Sequence, residues 1–329
     1  MRHRLEFAGK KCIRMLLLLL GVGLAAFLLM AASPLDPLQT NVGQAALGSM
    51  SPEQIAQLED YWGVNTPLPE RYLSWLSDAL HGDLGTSLLY RQPVLTIIGE
   101  RLGNSLGLLF AGALSGILGF TLGVLAGAFQ GRWPDRLIRG WCLLISSTPA
   151  FWLAILLLLV FSVWLGWFPT GLSVPIGVDA DSVTFLERLH HAVLPALTLS
   201  ITGVSSIALH TREKMMDVME SDYVLFARAR GESLRSIVLR HGVRNVALPA
   251  ITLQFASVSE IIGGSVLVEQ VFSYPGLGQA AVNAGLGSDL PLLLGITVIT
   301  AAIVFGGNLI ADLLYGVVDP KIRRGAAKS

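Results

Sequence analysis

An all-α membrane protein of about six transmembrane helices is predicted by three observations. Hydrophobic residues make up 53% of the 329-residue chain and charged residues 14%, against about 25% charged in a soluble domain. The apolar residues are gathered into six long runs. The cations are unevenly divided between the segments that join those runs. A net charge of zero argues against a nucleic-acid partner.

A helix crossing the ~30 Å hydrocarbon layer needs about 20 apolar residues. The runs that meet this are Ile13–Ala32, Leu106–Phe129, Trp141–Trp167, Ala192–Thr211, Val246–Phe272 and Leu290–Val318. Backbone groups in lipid must find partners within their own segment. The runs are too long and unbroken for barrel strands. The first run follows Arg2, Arg4, Lys10, Lys11 and Arg14. A signal peptide cleaved near Ala31–Ala32–Ser33 is the alternative there. The run exceeds an h-region of about 7–15 residues, so a retained helix over residues 1–32 is expected.

With an inside N-terminus, the inside segments hold 19 of the 23 Lys and Arg residues, and the outside ones hold Arg71, Arg91, Arg101 and Arg188. Both termini are therefore expected in the cytoplasm. The division that follows is a first helix (1–32), an external subdomain (33–98), a five-helix core (99–320) and a cytoplasmic tail (321–329). The external piece is too long for an unstructured loop, and helical periodicity runs through Pro52–Tyr61 and Glu70–Leu80. The glycine-rich Ser273–Asp289 is expected to form a plug or re-entrant piece. Cys12 and Cys142 match no disulfide or metal spacing.

The cytoplasmic loop 212–245 carries the strongest local signals. Tyr223, Phe226 and Ala227 fall at i, i+3, i+4 spacing on one helical face. Gly231 stands where a left-handed residue would end that helix, and Ser233 can cap the next. Leu234, Ile237 and Val238 continue an apolar stripe beside Arg235 and Arg240. Such an amphipathic pair could lie on lipid headgroups, serve as a solvated connector, or dock in a groove of a soluble partner. The interleaved Glu213, Asp217, Glu220, Asp222 and Glu232 weaken the lipid reading.

The order Ala227-Arg-Ala-Arg-Gly231, Arg240-His241, Arg244-Asn245 and Leu248-Pro249 resembles the EAA loop of ABC importer permeases. The step from Gly231 to Pro249 suits the dipeptide, oligopeptide and nickel class. The resemblance extends through Pro67-Leu68, Gly82-Asp-Leu-Gly85-Thr-Ser87, Pro149-Ala-Phe-Trp152, Leu194-Pro195, Glu269-Gln-Val-Phe272-Ser-Tyr-Pro275-Gly276 and Asp312 to Arg323. Two places depart from the pattern. Leu225 falls roughly where the loop's glutamate would be, and Leu35-Asp36-Pro37 replaces Gly-Asp-Pro.

The resemblance implies a type I importer permease in a bacterial inner membrane, forming half of a path for peptides or a related small solute. Nickel or a metal-chelate is the alternative cargo. The implied partners are a second homologous permease, two ATPase subunits, an extracytoplasmic binding protein and membrane lipid. Asp222, Tyr223, Phe226, Ala227, Arg228, Ala229, Arg230 and Gly231 would couple the chain to the ATPase. No phosphate loop is present in the sequence, so ATP and Mg are expected on partner subunits and no cofactor on this chain.

Ionisable groups inside spans are functional candidates. Glu260, midway along its run, is the candidate for the translocation path, with a helix-to-helix hydrogen bond as its alternative. Glu269 is expected to be structural, and Asn308 and Asp312 to bridge helices. Adjacent His190 and His191 point apart on a helix, so no metal site is expected. The glycines of Gly119–Gly127 are read as close helix packing. Gly112-Ala-Leu-Ser115-Gly faintly suggests an intramembrane serine protease, but no facing histidine is in reach, so no catalytic residue is assigned. A receptor or assembly platform without transport is the more distant alternative.

Overall fold

The computed structural model describes residues 2–35, 37–63, 65–178, 182–256 and 258–318, with side chains at 2–12, 45, 61, 113, 256, 260, 264 and 311–318 outside that description. The described residues are mostly helical, with one isolated antiparallel bridge between Thr86 and Pro93 among them. In order the helices are α1 (Arg2–Ala31), α2 (Pro37–Val42), α3 (Gln44–Leu47), α4 (Pro52–Tyr61), α5 (Leu68–Leu80), α6 (Val94–Ala128), α7 (Trp133–Ser146) and α8 (Ala150–Leu157). A π-helical stretch, Leu158–Trp164, prolongs α8. Then come α9 (Phe185–Met219), α10 (Asp222–Ala229), α11 (Leu234–Ile237), α12 (Val243–Ala256), α13 (Val258–Val271), α14 (Leu277–Leu286) and α15 (Leu290–Val318).

Two compact units divide the chain. One comprises residues 1–104 and 275–305, the other 105–274 and 306–329. In the first, Leu84, Val94, Ile97 and Ile98 form a core with Leu277, Ala280, Ala284, Leu292 and Ile296. Phe27 of α1 is buried with Leu290 and Leu294, and its ring lies 5.1 Å from that of Tyr72 on α5. The segment 33–98 thus shares its core with α1, α14 and the start of α15. Asp289 ties that core together: fully buried, it accepts from Ser87 Oγ at 2.5 Å and from the backbone N–H of Leu89 and Leu292. Ser51 and Gln54 form a capping box that starts α4.

Among the described residues, four helices are long and apolar enough to cross a membrane: Ile13–Ala31, Val94–Ala128, Phe185–Met219 and Leu290–Ile310. A fifth arises if α7 and the α8 segment count as one span, although they meet at 101°. The expected run Trp141–Trp167 is therefore not a straight helix. Pro149 has no N–H to give and pushes Thr148 out of helical backbone. The Thr148 N–H turns to Ile145 O at 2.9 Å, and the carbonyl of Leu144 accepts instead from Thr148 Oγ1 at 2.9 Å, while that of Leu143 accepts from both the N–H and the Oγ of Ser147. The sixth expected run, Val246–Phe272, is helical over its described residues up to Val271, as α12 and α13 on either side of residue 257.

In the second unit α9 is the central rod. Its 35 residues extend about 52 Å at 1.5 Å per residue, far beyond the expected Ala192–Thr211. Thr184 and Glu187 form its capping box. It packs on α6 through the glycines at 119, 123 and 127. A Cβ at these positions would lie 2.8 Å from Val204 O, 2.6 Å from Ala208 O and 2.6 Å from Met215 Cβ. Close helix packing, the reading given to these glycines, is what the structure displays.

Candidate functional site

Loop 212–245 is a bracket of short helices hung from the end of α9. Ser221 sits in extended backbone at φ −73°, ψ 152° and opens α10. Val224 and Ala227, three residues apart, are fully buried. They pack with Met215 and Met219 of α9, Ile237 of α11 and Val246 of α12, against Val124 of α6. The outer face carries Leu225 and Phe226, 64% and 68% exposed. Tyr223 stands between the two faces.

This changes one sequence expectation. Ala227 does not share an outer face with Phe226. It joins Val224, which the i, i+3, i+4 pattern read from Tyr223 left out, and the core takes that side of the helix. Ile237 is buried as the stripe on α11 suggests, whereas Leu234 is exposed.

Gly231 ends α10 at φ +79°, the left-handed conformation expected of it. The N–H of Glu232 donates to Ala227 O at 3.1 Å and that of Gly231 to Arg228 O at 2.9 Å, the paired bonds of a Schellman cap. A Cβ at Gly231 would meet nothing within 4 Å, so backbone conformation alone favours glycine here. Ser233 caps α11 by accepting from the Ser236 N–H.

Polar contacts close the bracket. Arg230 donates to Glu232 at 3.0 Å, and His241 lies 3.6 Å from the other Glu232 oxygen. The Arg230 guanidinium, through this hydrogen bond, holds the Glu232 carboxyl below its ordinary range. The Tyr223 ring lies 6.1 Å from that of His241. Asn245 Nδ2 donates to His241 O at 2.7 Å and reaches Tyr223 OH at 3.4 Å. Arg228 and Ala229 are exposed beside Asp222.

A second joint holds the start of α7 to α9. Asp135, 1% exposed, accepts two hydrogen bonds from Arg212, at 2.5 and 2.9 Å, and one from the Gly131 N–H at 2.8 Å. Neither residue stands out as a candidate in the sequence. Their separation by 77 positions left no local signal.

Residues 119–324 match the family described as the binding-protein-dependent transport system inner membrane component, and residues 4–108 match the N-terminal membrane component of such systems. The chain belongs to this family. An oligopeptide transport system permease protein of Bacillus subtilis is 38% identical over 93% of this chain and 95% of its own length. A putative peptide permease protein of Brucella ovis is 35% identical over 95% and 98%. A glutathione transport system permease protein of Salmonella paratyphi A is 34% identical over 97% and 99%. The protein is a multi-pass permease component of a bacterial inner-membrane transport system.

The other candidates of this permease separate clearly. Glu260 falls on α13, but its side chain lies outside the described residues, as do those of Cys12 and Asp312 and the whole of residues 319–329. Asn308 is half-buried. Glu269, fully buried, accepts from Ser105 Oγ at 3.0 Å, and its carbonyl accepts from the Tyr274 N–H at 2.8 Å. Burial, and then the charge of Glu269, pushes the Tyr274 phenol up to about 12. His190 Nε2 meets Trp167 O and His191 Nδ1 meets Gly171 O, both at 2.9 Å, so each ring anchors the loop before α9. Ser115 Oγ donates to Gly112 O within its own helix.

Proposed function

We propose that this permease forms half of the translocation path of an ATP-driven peptide importer. In this reading α10 is the contact through which a separate ATPase moves it. The single observation that carries the reading is the division of α10 into an anchored face and an outward apolar face. Val224 and Ala227 root it in the core, and Leu225 and Phe226 face outward without cover from this chain. Two adjacent large apolar side chains on a capped helix suit insertion into a groove of a soluble partner. Leu225, where relatives of the resembling class carry a glutamate, makes the contact at that position apolar.

ATP binding would close two ATPase subunits beneath this chain and a second homologous permease. The rigid-body motion would pass through α10 into α9. ATP and Mg belong to the partner chains in this scheme, and a binding protein delivers cargo from outside. The domain reading, with both termini and loop 212–245 cytoplasmic, is part of the same proposal. The names of the relatives support peptides as cargo and lend nothing to nickel or metal-chelates. Glu260 keeps its place as the path candidate, where it would meet the ammonium group of a peptide.

The test is the Phe226→Ser variant in the assembled complex reconstituted in proteoliposomes. Peptide uptake should fall at least about tenfold with unchanged thermal unfolding of the permease, the loss expected for an anchor side chain in an interface. Uptake equal to that of the parent would remove α10 from the coupling scheme.

A further inference from the structure

Helix α7, within the unit formed by residues 105–274 and 306–329, presents three separate faces. Asp135 and Cys142, at i and i+7, are buried where α7 packs on α9. Arg132, which opens the helix, Arg136 and Arg139 recur at i, i+4 and i+7, and all three are exposed. Trp133, Leu137, Trp141 and Leu144 recur at i, i+4, i+8 and i+11 and form the third face. Trp133 is 75% exposed and Leu137 65%.

The outward cations of this helix have no counter-charge. From Phe129 to Trp164 the sequence holds a single acid, Asp135, and both of its oxygens accept from Arg212. Among the described residues, no ion pair joins Arg132, Arg136 or Arg139 to a carboxylate. In loop 212–245, by contrast, arginines alternate with acids, and Arg230 is paired with Glu232. The apolar run Leu106–Phe129 ends three residues before Arg132, so the arginines stand where the chain leaves the hydrocarbon. Tryptophan beside such a boundary is a membrane-interface residue. A helix with leucine and tryptophan on one face and unmixed arginine on the next suits the boundary between acyl chains and anionic headgroups. The guanidinium fork matches a phosphate in shape as well as in charge.

We propose that the exposed side of α7 is a binding site for an anionic phospholipid. Arg132, Arg136 and Arg139 hold its phosphate and headgroup, and Trp133, Leu137 and Leu144 lie along its acyl chains. A lipid seated there bears on the turn from α6 to α7, where the Gly131 N–H and Arg212 of α9 meet on Asp135. The site is separate from α10 and needs neither an ATPase nor cargo.

The test uses the purified full-length permease in phosphatidylcholine vesicles, with phosphatidylglycerol as the anionic probe and no ATPase present. Either lipid with dibrominated acyl chains quenches tryptophan fluorescence, and competition between the brominated and plain forms gives the relative affinity. The parent protein should prefer phosphatidylglycerol by at least about fivefold, the worth of one arginine at an anionic membrane surface. Trp133→Phe should remove the quenching in which that preference shows. The triple variant Arg132→Gln, Arg136→Gln, Arg139→Gln should bring the preference close to unity. The triple variant Arg235→Gln, Arg240→Gln, Arg244→Gln, which loses the same charge elsewhere, should retain it. Circular dichroism checks the fold of each. Should the α7 triple variant misfold, single changes decide: Arg136→Gln lowers the preference and Arg136→Lys keeps most of it. A preference that survives in the α7 triple variant would overturn the site. So would one that falls equally in both triple variants, which would mark general surface charge. Absence of any preference in the parent protein would overturn it too; if the α7 triple variant then also failed to retain ATPase subunits, the arginines would belong to an acidic protein surface instead.

Discussion

Gly231 shows how a single backbone angle can fix the end of a helix. At φ +79° with open space around its Cβ position, replacement strains the turn without a clash. A left-handed conformation costs a non-glycine residue roughly 1–2 kcal/mol, more for a β-branched one. Gly231→Val is expected to uncouple ATP hydrolysis from uptake, measured together in the reconstituted complex, while Gly231→Asn retains most of the coupling. At Glu232 the depressed carboxyl makes a pH prediction. A carboxyl whose folded pKa lies below its ordinary 4.5 stabilises the fold at neutral pH and loses that effect as the pH falls through the folded value. Wild type should therefore unfold at a higher temperature than Glu232→Gln at pH 7. The gap should close as the pH is taken below 4.5, as read by calorimetry in detergent. The buried Asp135–Arg212 joint is predicted to be sensitive to removal of one side. Arg212→Met strands a buried carboxylate, at a cost of about 3–5 kcal/mol, and should lower the unfolding temperature where Arg235→Met does not.

The helices divide into those that the sequence announced and those set by distant packing. The Gly231 stop, the Ser233 cap and the close contact at the α6 glycines were legible because each depends on one residue and its immediate frame. The split of α10 into faces was only half legible. Tyr223, Phe226 and Ala227 satisfy a helical pattern, yet Val224 and Ala227 satisfy another, and only the core formed by Met215, Met219, Ile237 and Val246 selects between them. The bend before α8 had its signal in Ser147, Thr148 and Pro149, but hydropathy alone ran the span straight through it. Glycine packing carries its own prediction. In Gly123→Leu the side chain would enter the space of Thr211 and Ala208 O. The overpacking should cost about 1–3 kcal/mol, read as a lower unfolding temperature in detergent.

At the scale of the whole molecule, composition and cation distribution were enough to indicate an α-helical membrane protein, because the bilayer imposes length and charge rules that need no tertiary knowledge. They could not divide the chain as the structure does. The core of Leu84, Val94 and Leu277 joins positions nearly 200 residues apart, and no pattern within 33–98 reveals that. The orientation proposed here is checked by thiol labelling in a Cys12→Ser background, where the remaining Cys142 is buried. Leu234→Cys should react in inside-out vesicles and Ser49→Cys in right-side-out cells; the reverse pattern would turn the molecule over.

The length of α9 has a mechanical consequence. One end is tied to α10 through Ser221 and the Met215–Met219 contacts, and the other to the loop that His190 and His191 hold by its carbonyls. Along a shaft of about 52 Å, a swing of about 5° at the α10 end displaces the other tip by ~4–5 Å, a distance comparable to the width of a peptide backbone. In the proposed scheme, Val224 and Ala227 need shift very little for the path at the other end of α9 to widen by a useful amount.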